Sequence, residues 1–326
     1  MLEDIQETRL IYFYEAIQRG TMRAAADALN VAPSAVSRQI ALLEQELALP
    51  LIERHTRGIK ATEAGLLVLS YFREQLAHKK DLLAQLQEMR GLHRGTVRIA
   101  LGEGFIADLT TGPLRRFALE FPGISVVLDV GGTNEVMRRV GEDESDIGLV
   151  FNPAPDAKIV TRAFSRQPVN AIVGPGFPLL GRPFPIAFKE FLAYPVALNH
   201  DTYGMRQLLH VVEQTEHLRM APKLTTNSFY GLRQFVLQGL GITFLPDFVA
   251  FGELQSGRLY SIPVSQPILQ AAQVHLISRT GRKLSMAANR MLQYMSSGLA
   301  CLRTPSSASG PAPIPPAPAP GHRSNC

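Results

Sequence analysis

The sequence predicts an α+β, multidomain chain: a small N-terminal helical domain, one long helix, and a two-lobed α/β region followed by a tail. Three observations lead there. Apolar residues recur at helical spacing to about residue 65, follow a 3.5-residue repeat from 66 to 92, and then form strand-like runs alternating with helices to about 302. At 326 residues and 46% apolar, the chain is long enough for more than one buried core. The expected domains are therefore 1–65, 66–92 and 93–302, with a tail at 303–326.

Leu10, Phe13 and Ile17 mark the inner face of a first helix, which Gly20-Thr21 ends. A second short helix runs from Arg23 to Leu29, with Ala25, Ala26 and Leu29 turned inward, where small side chains permit close crossing. Asn30-Val31-Ala32 is a three-residue turn with Val31 placed to plug the corner. Pro33 then opens a third helix, where its missing N–H costs nothing. This is helix-turn-helix geometry.

In the third helix Val36, Ile40, Leu43 and Leu47 step toward the core, so Ser34, Ser37, Arg38 and Gln39 project from the opposite, N-terminal side. A recognition helix needs that disposition to enter a major groove. Arg38 suits a bidentate contact to guanine, Gln39 one to adenine, and the serines suit phosphates or either base type; which residue meets which base is open. Downstream, Leu51-Ile52-Glu53-Arg54 and Lys60-Ala61-Thr62 are short strand-like runs around His55 to Ile59, which resemble a wing. Arg54, Arg57 and Lys60 gather there, as in a basic hairpin resting on the sugar-phosphate backbone.

Bulk charge adds little. The net charge is +5, but residues 1–65 hold 7 Lys and Arg against 9 Asp and Glu, a net of −2, leaving +7 for the remainder. Contact with double-stranded DNA must then rest on the placement of Arg23, Arg38, Arg54, Arg57 and Lys60, with modest non-specific affinity and reliance on dimer avidity.

In the long helix Leu69, Phe72, Leu76, Leu83 and Leu86 follow coiled-coil steps, with Lys79 at the one polar seam position. The pattern favours dimerisation over packing on its own domain. From Gly95 the period changes to Thr96–Leu101 (strand), Leu109–Phe121 (helix, with Leu114, Phe117, Ala118 and Phe121 on one face), Ile124–Val130 (strand), Asn134–Glu142 (helix) and Asp146–Phe151 (strand). Asn170–Val173, Tyr203–Thr215, Phe229–Gln238 and Gly241–Pro246 continue the alternation. This rhythm implies two α/β lobes with parallel sheets, and ligands of such sheets sit beyond the carboxyl ends of the strands.

Phe13, Gly20-Thr21, Ala25-Ala26, Leu29, Ser34–Ile40, Leu43-Glu44, Leu47, Leu51, Arg54 and Thr62-Glu63-Ala64-Gly65 together resemble the N-terminal domain of LysR-type transcriptional regulators. Two departures stand out. Ala32-Pro33-Ser34 replaces the usual Ser-Gln-Pro, putting Pro33 where a base-reading Gln is common, and Leu51-Ile52 replaces Leu-Phe. The resemblance implies a DNA face of Arg23, Pro33, Ser34, Ser37, Arg38, Gln39, Arg54, Arg57, Lys60 and Thr62. It continues more weakly through Phe121-Pro122, Asp146–Leu149 and Gly239–Ile242.

In that family the next segments are a dimerising linker helix and an effector domain similar to type 2 periplasmic binding proteins, with a small-molecule cleft between two lobes. The resemblance places the cleft at Gly102, Glu103, Gly104 and Phe105, at Gly132 and Thr133, at the strand end Phe151-Asn152, and at Thr202, Tyr203, Thr226, Asn227 and Ser228. Thr133 either binds a polar group or caps its own helix. Glu103 stands where a small hydroxyl residue is common. Facing the cleft it disfavours a plain carboxylate effector and favours a cationic or hydroxyl-rich one; the other reading has it facing solvent. Homodimers or homotetramers, promoter DNA and RNA polymerase are the implied partners.

Other classes fit poorly. The eight histidines are scattered, and no His-Glu-x-x-His spacing, phosphate-binding glycine loop or Gly-x-Ser-x-Gly elbow occurs. An enzyme and a resident metal or cofactor are therefore not expected. His200-Asp201 reads as surface structure. The two cysteines, Cys301 and Cys326, lie near the C-terminus, so neither a disulfide framework nor a redox thiol pair is expected. No run approaches a membrane span, and the start lacks a secretion signal, so a cytoplasmic protein is expected. A cytoplasmic solute-binding protein without regulatory role is the alternative, which residues 20–65 oppose. The segment Thr304 to Cys326, rich in Pro, Ala and Ser, reads as an extended, disordered tail.

Overall fold

The computed structural model describes residues 5–55, 58–89 and 95–303. Arg57, residues 90–92 of the expected linker and the expected tail from Thr304 lie outside the described residues. Two compact units meet in sequence between Leu86 and Gln87.

The first unit contains α1 (Glu7–Arg19), α2 (Met22–Leu29), α3 (Pro33–Leu47), a hairpin of β1 (Ile52–His55) and β2 (Gly58–Ala61), and all but the last three residues of α4 (Glu63–Met89). Its helix ends follow local chemistry. Gly20 takes φ +72° to close α1, and the Thr21 hydroxyl accepts from the Ala24 amide at 3.1 Å to start α2. Asn30, at φ +54°, closes α2, and Pro33 stands in the first turn of α3. Leu10, Phe13, Val36, Ile40 and Leu43 form the core, with Val31 packed at its edge.

Leu69 and Phe72, expected in an intermolecular seam, are buried in this same core, where Phe72 meets Tyr14 edge-on at 5.6 Å between centroids. Lys79 reaches back to Glu7 at 2.9 Å. The first turns of α4 thus complete the N-terminal domain, because a three-helix core this small needs a fourth helix to cover it. Among the described residues, the large exposed apolar side chains of α4 are Leu66, Leu67, Tyr71, Leu82, Leu83 and Leu86.

The second unit runs through β3 (Gly95–Leu101), α5 (Ile106–Leu109), α6 (Arg115–Glu120), β4 (Ile124–Val130), α7 (Thr133–Gly141), β5 (Ile147–Phe151), β6 (Ile159–Arg166) and β7 (Val169–Val173). It continues with β8 (Ile186–Ala187), β9 (Val196–Asn199), α8 (Gly204–Thr215), β10 (Leu224–Thr226), α9 (Phe229–Leu237), β11 (Ile242–Pro246), α10 (Phe251–Gln255) and β12 (Tyr260–Ile262). β13 (Val264–Ser265), α11 (Pro267–Gln270), β14 (Gln273–Arg279) and α12 (Met286–Gly298) complete it.

The first lobe carries a sheet of order β4-β3-β5-β14-β6 and the second one of order β10-β9-β11-β7-β12. Neither sheet is purely parallel, contrary to expectation: β14 runs antiparallel to β5 and β6, and β7 antiparallel to β11 and β12. The reason is the chain path. It leaves the first lobe after β6 and returns through Ala272, so β14 enters the first sheet from the opposite end. The two crossing segments are tied by the Gln167 amide donating to the Ala272 carbonyl at 2.8 Å.

The helix expected from Leu109 begins earlier, at Ile106, and contains a π turn at Thr110–Leu114 with Pro113 buried inside it. Of the expected inner face, Phe117 is buried, Leu114 and Phe121 are half-buried, and Ala118 is exposed.

Candidate functional site

Two regions carry the sequence-derived residues, one in each unit. In the first, the exposed Pro33, Ser34 and Arg38 and the half-buried Ser37 and Gln39 line the outer side of α3, with Arg23 exposed near the start of α2. The hairpin beside them is held in two ways. Glu44 on α3 accepts from the amides of Leu51 and Ile52 at 2.7 and 3.2 Å. Gly58, at φ +137°, lets the Ile59 amide donate to the Gly20 carbonyl at 2.9 Å; a β-carbon on Gly58 would lie 2.3 Å from that oxygen.

The hairpin register pairs Lys60 with Glu53 and Arg54 with Ile59. Neighbouring residues on a strand alternate faces, so Arg54 and Lys60 lie on opposite faces of the ribbon instead of forming one patch. Thr62 is engaged inside the domain: its hydroxyl donates to the Pro50 carbonyl at 2.7 Å and accepts from the Gly65 amide at 3.0 Å, opening α4. Glu44 was visible in sequence only as a motif letter; its role emerges from the fold.

In the second unit, Gly102, Gly104, Phe105, Thr133, Phe151 and Tyr203 converge on one cavity between the lobes. Its volume is only about 20 Å³, room for about one water molecule. Gly131, Leu149, Val150, Gly204 and Met205 complete one side, and Phe229, Pro246, Phe248 and Val249 the other. Apart from Gly204, which the sequence placed with Thr202 and Tyr203 in the lining, sequence reasoning missed these residues, since nothing local marks an apolar strand end as a cavity wall. Phe105 and Phe248 stack at 5.2 Å between centroids across it.

The polar residues around the cavity are spent on each other. Buried Thr133 does not cap its own helix; its hydroxyl donates to the Phe151 carbonyl at 3.3 Å and accepts from the Gly204 amide at 3.0 Å, joining α7 to the start of α8. Gly132 is pressed against the Thr202 carbonyl, which accepts from the Asn134 amide at 3.4 Å. Tyr203 donates to the Asn227 carbonyl at 2.9 Å. Burial first, and then the negative charge of Glu103, push the Tyr203 phenol above its ordinary range, so it stays a donor.

Thr226 accepts from the Ser228 amide at 3.1 Å, and Ser228 in turn caps α9 by accepting from the Gly231 amide at 3.1 Å. Asn152, at φ +47°, turns out of β5 and its amide donates to the Gln273 carbonyl at 2.7 Å; it is not among the cavity residues.

Glu103 does not face bulk solvent. Its carboxylate reaches α9 of the second lobe, accepting from the amides of Phe229 at 2.7 Å and Tyr230 at 3.0 Å and from the Ser228 hydroxyl at 3.3 Å. Among the described residues no group of His, Cys, Asp and Glu is arranged to hold a metal ion, and no helix is long and apolar enough to cross a membrane.

A winged helix-turn-helix unit in one chain with a two-lobed unit enclosing a cavity defines a DNA-binding protein coupled to a small-molecule domain. The chain belongs to the LysR family. Residues 8–66 match the bacterial regulatory helix-turn-helix protein of the lysR family, and residues 90–300 match the LysR substrate binding domain. It is a LysR-type transcriptional regulator, with a DNA-binding helix-turn-helix domain and an effector-binding domain.

Among curated relatives, the HTH-type transcriptional activator CmpR of Synechocystis sp. is 26% identical over 286 residues, spanning 86% of this chain and 92% of the relative. Among solved structures, a full-length OxyR variant from Pseudomonas aeruginosa superposes with a TM-score of 0.67 at 17% identity, covering 90% of this chain and 96% of that one. Full-length CbnR complexed with its target DNA gives 0.57 at 18% identity, covering 89% and 98%. These likenesses establish the shared fold.

Proposed function

We propose that this regulator reads its operator with the first turns of α3, Arg38 and Gln39 meeting base edges while Ser34, Ser37, Arg23 and the basic residues Arg54, Arg57 and Lys60 hold the backbone, Arg54 and Lys60 from opposite faces of the hairpin. The observation that carries the reading is the exposure of Arg38 on a helix whose opposite side, Val36, Ile40 and Leu43, is the domain core. Side chains free of packing on the outer side of such a helix are the ones that can enter a major groove. That CbnR was solved on its target DNA supports the same use of the domain here.

A dimer forms through the exposed leucines of α4, and two dimers engage neighbouring half-sites as a homotetramer. A small molecule bound between the lobes of the second unit shifts their packing, DNA bending and contact with RNA polymerase in the cytoplasm. Catalysis has no part in this reading.

A mobility-shift titration against the DNA upstream of its own coding region tests it. The expected result is a specific complex that weakens steeply with salt; binding indifferent to sequence overturns the reading.

A further inference from the structure

Glu103 leaves the first lobe in the loop after β3, and its carboxylate is received at the start of α9 by two amides and one hydroxyl. A helix start leaves such amides without partners and carries partial positive charge, so it favours an anion. Here that anion is a side chain from the opposite lobe, 126 residues away from the Phe229 amide in sequence. The cavity beside it is lined mainly by apolar side chains such as Phe105, Phe151 and Phe248. Thr133 adds a parallel tie to α8 through the Gly204 amide at 3.0 Å.

We propose that Glu103 is a built-in ligand: a tethered carboxylate that occupies the anion-receiving end of the cleft and holds the two lobes together with no effector bound. The proposal rests on reading this cleft as the effector site. Small monocarboxylates accordingly do not act on the native chain, and an anionic effector acts by displacing Glu103 from α9.

The group lost in Glu103→Ala has the size and charge of acetate, so acetate itself is the probe. Amide hydrogen exchange at Phe229 and Tyr230 is followed in the full-length native chain, Glu103→Ala and Glu103→Gln, with acetate or chloride at equal ionic strength. In the native chain these amides exchange slowly and acetate changes nothing. In Glu103→Ala they exchange about tenfold faster or more, as expected for losing a charge-assisted hydrogen bond, and acetate but not chloride restores protection saturably. Glu103→Gln keeps the side chain's size and shows intermediate protection, which separates loss of the carboxylate from misfolding.

Equal exchange in the native chain and both variants overturns the proposal, as does an identical response of Glu103→Ala to acetate and chloride. The operator complex is measured alongside. Acetate rescue of exchange with operator affinity and complex mobility unchanged supports the tethered carboxylate while overturning the effector reading of the cleft.

Discussion

The carboxylate of Glu44 lies 2.7 Å from the Leu51 amide nitrogen and also accepts from Ile52, so the recognition helix itself holds the first strand of the hairpin. Hairpin and helix are thereby joined directly. Glu44→Ala leaves two amides without their acceptor and should lower the stability of the N-terminal unit by about 1–3 kcal/mol. Urea unfolding followed by circular dichroism measures it; an unchanged midpoint would show that water replaces the carboxylate at no cost.

The long helix differs along its length. Phe72, 1% exposed, belongs to the core of its own unit, whereas Leu82, Leu83 and Leu86 are exposed. Phe72→Ala should destabilise the N-terminal unit by about 3–5 kcal/mol. Replacing Leu82, Leu83 and Leu86 by Glu should leave that unit folded while halving the mass seen by light scattering. Retention of the native mass would move the dimer contact elsewhere.

Arg38 and Lys60 should differ in kind. Arg38→Ala is expected to cost about 1–3 kcal/mol of specific binding and little non-specific affinity, as for a base-reading residue. Lys60→Ala should weaken all sequences alike and reduce the slope of log affinity against log salt by about 1. Titrations on operator and random duplexes at three salt concentrations distinguish the two, and equal effects of both variants would refute the assignment.

Cys301 predicts an alkaline weakness. The thiol is 1% exposed, and burial first, then the charge of Asp108, hold it far above the ordinary thiol range. When the folded value is raised, the unfolded chain gives up its proton first as pH climbs. This contribution to stability is whole below about pH 8.5 and declines above it. The stability difference between the native chain and Cys301→Ala, from guanidinium unfolding at pH 7.5, 9 and 10, should narrow as pH rises. A constant difference would exclude the effect.

Much of the first unit was legible in the residues. Gly20, Thr21, Asn30 and Pro33 announce their helix ends because capping acts over three or four positions, and Val36, Ile40 and Leu43 announce the buried side for the same reason. The coiled-coil seam fails at Leu69 and Phe72. A helix buried against its own domain and one buried against a partner show the same apolar spacing, and only the packing on Phe13 and Tyr14 separates them. Arg54 and Lys60 look like one basic cluster in the sequence, yet the register with Glu53 and Ile59 puts them on opposite faces.

By itself, the sequence determined the helices of the first unit and the α/β alternation of the second, since these follow from periodicity, capping or short motifs; β6, β12 and β14 were not legible in it. The tertiary structure alone decided what the cleft contains. The path out of the first lobe at Gln167 and back at Ala272 reverses β14 and sets Glu103 against Phe229, Thr133 against Gly204, and Phe105 against Phe248. These partners lie 71 or more residues apart in sequence, and no local propensity couples them. Their meeting depends on burying both lobes' apolar strand ends against each other, which is a property of the whole packed unit.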